Sequence, residues 1–213
     1  MDLFKMLGLD SVVEQNDFKV DELGNGTHFY KHLPKLGEKY WLFTFFHKAN
    51  EQEVDVVKSA LLAKADVSSS KAIEELFTIL SKNNGVQLYS NSLILYGITS
   101  KVDYLYLSEP NSIEKNNKFL PKSVNPSWIA IGYYSMSSTI NPLLFIDASL
   151  PTENCFSAIV TNAGVQIVKK WNSIKDMLTD CIEQLKTHYD CLGYKNDADL
   201  SKPILTRNKT YIQ

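Results

Sequence analysis

The chain has 213 residues, 44% of them hydrophobic and 22% charged, with 22 basic against 24 acidic side chains. That is the composition of one globular domain, and it excludes a disordered tail, a collagen and a disulfide-rich mini-protein. A net charge of −2, with Arg207 the single arginine among 22 cations, gives no global attraction for nucleic acid and no set of guanidinium groups to read bases or phosphates bidentately.

In chain order, residues 1–16 read as a short amphipathic helix through Leu3, Phe4, Leu7 and Leu9. Phe18–Val20 and Thr27–His32 flank Gly24-Asn25-Gly26, residue types that tolerate positive φ, so the pair reads as a hairpin. Tyr40–His47 is aromatic and continuous enough for a buried strand. Asn50 with Glu53 three residues on resembles a capping box, and Val54, Val57, Leu61 and Leu62 recur at helical spacing. Together they predict a helix from Glu51 to about Asp66. Ser68–Ser70 caps a second helix carrying Ile73, Leu76, Phe77 and Leu80, which Asn83-Asn84-Gly85 stops.

A strand-rich stretch follows: Val86–Tyr89, Ser92–Ile98, Asp103–Leu107, Trp128–Tyr134, Leu143–Asp147, Cys155–Thr161 and Val165–Trp171, with a turn at Asn162-Ala163-Gly164 between the last two. The clearest helix starts at Asn172 or Ser173, where Ile174, Met177, Leu178, Cys181, Ile182 and Leu185 form an unbroken apolar stripe. From Gly193 the chain turns polar. Two helices, a run of mostly sequential strands and a closing helix predict a single α+β domain, with an antiparallel-rich sheet over Ser92–Trp171 and helices packed on one side. Three units of organisation are expected: an N-terminal helix and hairpin extension over 1–50, a core over 51–187, and a polar tail over 188–213.

Three cysteines, Cys155, Cys181 and Cys191, fit a reducing cytosol better than a secreted framework, so a cytoplasmic protein is expected. The amino terminus lacks the basic start and apolar run of a signal peptide, and the greasiest stretches fall far short of the roughly 20 residues that cross a bilayer. The 21 lysines, 16 asparagines and 11 tyrosines read as codon bias of an A/T-rich genome, such as that of a low-GC bacterium or its prophage.

The order of motifs over residues 51–187 resembles the SUKH superfamily of α+β binding domains. FTILSKNNG at Phe77–Gly85 matches a helix ending in Asn-Gly, and LILYG at Leu93–Gly97 matches the next strand. Ser108-Glu109-Pro110-Asn111 matches an acidic, Asn-containing loop. Leu120-Pro121 then precedes WIAIG at Trp128–Gly132, and LLFID at Leu143–Asp147 leads to a hairpin, a Trp and a last amphipathic helix. Two features depart from the family: Ala72-Ile73-Glu74-Glu75-Leu76 stands where Leu-Pro, acids and Tyr are common, and Ser137-Ser138-Thr139-Ile140-Asn141 replaces a Gly-Asp. The resemblance implies a bacterial immunity protein (antitoxin) that binds and neutralises a cognate toxin such as a nuclease, and alternatively a regulatory protein-interaction module in a signalling or cell-wall assembly.

Catalytic signatures are missing from the sequence. There is no GxxxxGK[ST], Phe29 stands where a dinucleotide loop needs its third Gly, and no GxSxG occurs. His28 and His32, if on a strand, stand about 13 Å apart and cannot share an ion. Cys181, His188 and Cys191 come closer to a zinc set, but Cys181 belongs to the apolar stripe and no CxxC is present. The expectation is therefore no enzyme, no metal, no cofactor, no membrane and no direct nucleic-acid contact, but a protein partner. Blocking a basic nuclease needs acids opposite its cations, and Glu109, Glu114 and Asp147 are the candidates. Asp147 has a second reading, as a cap on the turn into Ala148-Ser149.

Overall fold

The computed structural model describes residues 19–22, 26–32, 40–89, 92–99, 110–135 and 141–188. Among the described residues, nine strands form one antiparallel sheet in strict chain order: β1 Lys19–Glu22, β2 His28–His32, β3 Tyr40–Phe45, β4 Val86–Leu88, β5 Leu93–Leu95, β6 Trp128–Tyr134, β7 Leu143–Asp147, β8 Cys155–Thr161 and β9 Gly164–Trp171. Helices α1 (Glu51–Lys64) and α2 (Lys71–Leu80) lie between β3 and β4, α3 (Ile113–Lys118) lies between β5 and β6, and α4 (Ile174–His188) follows β9. The single α+β domain expected from the pattern is what forms.

The N-terminal strands continue the sheet, because β3 pairs with β4 through Phe43↔Leu88 and Phe45↔Val86. The boundary placed at residue 50 thus falls inside one hydrogen-bonded array that begins at Lys19 rather than Ser92. The first hairpin forms with Glu22 opposite His28, and Gly26 has φ +85°. The proposed helix over 1–16, the strand Asp103–Leu107 and the tail beyond His188 lie outside the described residues.

Helix boundaries follow local chemistry. Asn50 accepts from the Gln52 amide at 2.9 Å, Ser70 from Ile73 at 3.4 Å and Ser173 from Asp176 at 3.1 Å, so each satisfies an amide that the first turn leaves unpaired. Helix α3 was not anticipated. It has only six residues, two of them asparagines, with its cap Ser112 accepting from Lys115 at 3.3 Å.

Side chains alternate across the sheet. One set of cross-strand partners, Ile129, Ile146, Cys155 and Trp171, faces α4, as the Trp171 indole shows by donating to Asp180. On this side Ile174, Met177, Leu178, Cys181, Ile182 and Leu185 of α4 are buried, as are Ile73, Leu76 and Leu80 of α2. The opposite face carries Phe145 stacked on Phe156 at 5.2 Å, with Trp128 edge-on to Phe156 at 4.8 Å.

Two buried asparagines act as substitute ladder partners. The Asn84 amide donates to the Ile98 carbonyl at 2.7 Å, and its oxygen accepts from the Ile98 N–H. Asn117 of α3 does the same for Ala130, donating at 2.7 Å and accepting at 2.9 Å. Each supplies a donor and an acceptor to a backbone position beyond the β5–β6 pairing, where no strand partner stands among the described residues. The Asn-Gly end of α2 is therefore structural: Asn84 bridges to Ile98, and Gly85, at φ +85°, leaves room for the Leu95 carbonyl, which an added Cβ would meet at 2.8 Å.

Candidate partner-binding surface

Of the three acids singled out in the sequence, Glu109 lies outside the described residues. Glu114 sits in the first turn of α3, where an acid is favoured by the helix dipole, and pairs with Lys118 one turn on at 2.6 Å. The pair is solvent-facing, with 36% of the Glu114 side chain and 68% of the Lys118 side chain exposed. Such a pair contributes little to stability and leaves the carboxylate reachable by a partner.

Asp147 is placed differently. It ends β7 at 8% exposure, and one carboxylate oxygen accepts from the Trp128 indole at 2.9 Å. The other accepts from the Ser149 amide at 3.0 Å and the Ser149 hydroxyl at 2.6 Å. Three donors thus converge on one buried carboxylate, and the turn-capping reading describes it. Its work is to tie the start of β6 to the turn after β7. Replacing Asp147 by Ala should leave the indole N–H unpaired and cost about 2 kcal/mol in urea unfolding. Asp147→Asn, which keeps one acceptor oxygen, should lose about half as much; no loss in either variant would contradict this role.

Glu114 and Asp147 approach one strand from opposite sides. Asn117, one turn beyond Glu114, bonds to Ala130 of β6, while Asp147 is the register partner of Trp128 at the beginning of β6. The segment between them, Phe119 to Ser127, is held down by Lys64 of α1, whose ammonium donates to the carbonyls of Pro126 at 3.1 Å and Trp128 at 3.0 Å. Burial holds the pKa of this lysine below its ordinary value. Sequence reasoning passed over Phe119, which is 85% exposed at the end of α3. Its only sequence signal is position, an aromatic immediately after a lysine-rich short helix.

The other groups with shifted pKa values are thiols and phenols packed into the interior. Cys155 and Cys181 are buried at 0% and 1% exposure, and burial raises both thiols from 9.0 to about 12, with nearby carboxylates adding to the effect. Burial likewise raises Tyr89 from 10.0 to about 12, with Glu183 contributing, and pushes Tyr96 and Tyr133 upward. These folded-state values lie above the unfolded ones, so the neutral forms stabilise the fold below pH 9 and that contribution is lost as pH rises through 9 to 12. Urea stability should therefore fall as pH rises above about 9. In native protein at pH 8, a thiol reagent should leave Cys155 and Cys181 unmodified until denaturant is added.

No group of three or more His, Cys, Asp and Glu side chains able to hold a metal occurs among the described residues. Cys191, the third member of the set considered for zinc, lies outside them. His28 and His32 both fall on β2, four positions apart. None of the described helices is long and apolar enough to cross a membrane. Comparison with family models, curated proteins and solved structures finds no match for the chain.

Proposed function

We propose that the chain is a non-catalytic binding protein of the SUKH type, a cytoplasmic bacterial immunity protein that occupies a cognate toxin such as a nuclease. The observation that supports this reading is where the resemblance motifs fall. The Asn-Gly of α2, the LILYG strand, the Leu-Pro before β6, WIAIG and LLFID occupy successive elements of one antiparallel sheet, and their special residues perform sheet-building tasks. Asn84 caps a buried ladder end, Gly132 lets β5 approach β6, and Asp147 anchors the β7 turn. A sheet fixed in this way presents α3 and its flanking loop as a rigid rim.

Binding is steered by charge, with Glu114 of that rim and the sequence candidate Glu109 set against the cations with which a nuclease holds phosphate. Asp147 positions the rim and stays out of the contact. The test is association kinetics with the product of any toxin-like reading frame found beside the gene. The Glu109→Ala/Glu114→Ala variant should associate at least about fivefold more slowly than wild type at low salt, and the two rates should converge as salt is raised. Equal rates at every ionic strength would contradict the use of these acids.

A further inference from the structure

Strand β9 ends the sheet, and among the described residues it pairs only with β8. A strand packed on one side buries every second side chain. Here Gln166, Ile167, Val168, Lys169 and Lys170 are exposed in succession, so neither face of β9 is covered over that stretch. Ile167 and Val168 are 39% and 47% exposed. The buried layer stops one strand earlier, at Cys155–Ala158 of β8. Val165–Val168 is therefore an open edge, rich in β-branched residues and free of proline, of the kind to which another extended chain adds.

The next two residues oppose that addition. Lys169 lies on the α4 face, where its ammonium donates to Asp180 at 2.7 Å and stands 5.5 Å from the centre of the Trp171 ring. The same Asp180 oxygen accepts from the Trp171 indole at 3.1 Å and from Gln184 at 3.0 Å, so Lys169 is fixed beside the edge. Lys170, the register partner of Phe156, belongs to the opposite face. One cation thus flanks each face of the strand. The ladder is also interrupted here: Ser157 pairs with Lys169 and Ala158 with Ile167, which leaves Val168 as an extra residue that bends the edge.

We propose that Lys169, Lys170 and the bulge at Val168 close the β9 edge to a second copy of this chain. A second β9 running antiparallel and centred on Ile167 or Val168 sets Lys169 of each copy against Val165 or Ile167 of the other. That strips water from a cation and offers it no acid in the opposing strand. A parallel, in-register second strand sets lysine beside lysine. Either cost offsets what the apolar half of the strand gains by pairing.

Sedimentation velocity of the full chain over about 1–300 µM, at about 0.15 M salt, tests this. Wild type should stay at the single-chain mass of 24.2 kDa. Lys169→Thr/Lys170→Thr should gain at least about tenfold in self-affinity and approach twice that mass, since two copies joined through β9 use up the edge. The double variant moves the net charge of −2 further from zero, which by itself disfavours association, so net charge does not account for a gain. Lys170→Thr alone, which leaves the Asp180 contacts in place, should show a smaller gain in the same direction. Adding Ile167→Lys to the double variant should return it to the single-chain mass, with circular dichroism the same in all these proteins. A double variant that stays at the single-chain mass, association that Ile167→Lys does not reverse, or wild type that associates as strongly as the double variant would each overturn the guarded edge.

Discussion

Gly132→Ala is expected to cost about 4 kcal/mol and to leave the protein poorly folded at 37 °C, because the new methyl has nowhere to go. A Cβ at this position would stand 2.0 Å from the Ile94 carbonyl oxygen and 3.3 Å from the Leu95 Cα. The obstacle is the main chain of β5, not a side chain that can rotate away. Moving it would open the Ile94↔Tyr133 and Leu95↔Gly132 pairings in the middle of the sheet. Overpacking a core commonly costs about 1 to 3 kcal/mol, and an obstruction made of paired backbone belongs above that range. Urea unfolding measures it, and a loss below about 1 kcal/mol would mean that β5 and β6 separate more easily than their register implies.

Leu178→Ala should cost about 3 kcal/mol, within the roughly 2 to 5 kcal/mol seen when a buried leucine is truncated. Leu178 is 1% exposed on the face that α4 turns to the sheet, between Met177 and Cys181 at 0% and 1%. Truncation removes transfer free energy and leaves a cavity between α4 and the sheet that rigid strands cannot close. Ile182→Ala, also at 1%, should behave alike. A loss under half a kilocalorie at both positions would show that this helix face is not core.

These two sites differ in how far the sequence reveals them. The α4 stripe is visible because six apolar residues recur at helical spacing, and the ends of α1 and α2 are visible because Asn50, Ser70 and Asn84-Gly85 carry their signals within a few residues. Gly132 looked only like part of an Ile-Gly pair; its close approach to Ile94 is a contact across 38 positions that no local pattern encodes. The same limit hid the pairing of β3 with β4, which brackets two helices, and the bond from Trp128 to Asp147, which decides what that acid does. Helix α3 escaped notice because Asn116 and Asn117 are weak helix formers, and Asn117 is there for its hydrogen bonds to Ala130 rather than for propensity. Among the candidate acids, Glu114 could be placed on an exposed segment from sequence alone, whereas Phe119 offered no pattern that separates an exposed aromatic from a buried one.

The central claim is that this sheet and its α3 rim serve to occupy a toxin. Co-expression tests it most directly: a host carrying any toxin-like reading frame found beside the gene under an inducible promoter, with and without this chain. Survival restored by the chain, together with a stoichiometric complex recovered on purification, is the predicted result. Cells that die equally in both cases, with no complex recovered from an inactive toxin variant, would contradict it.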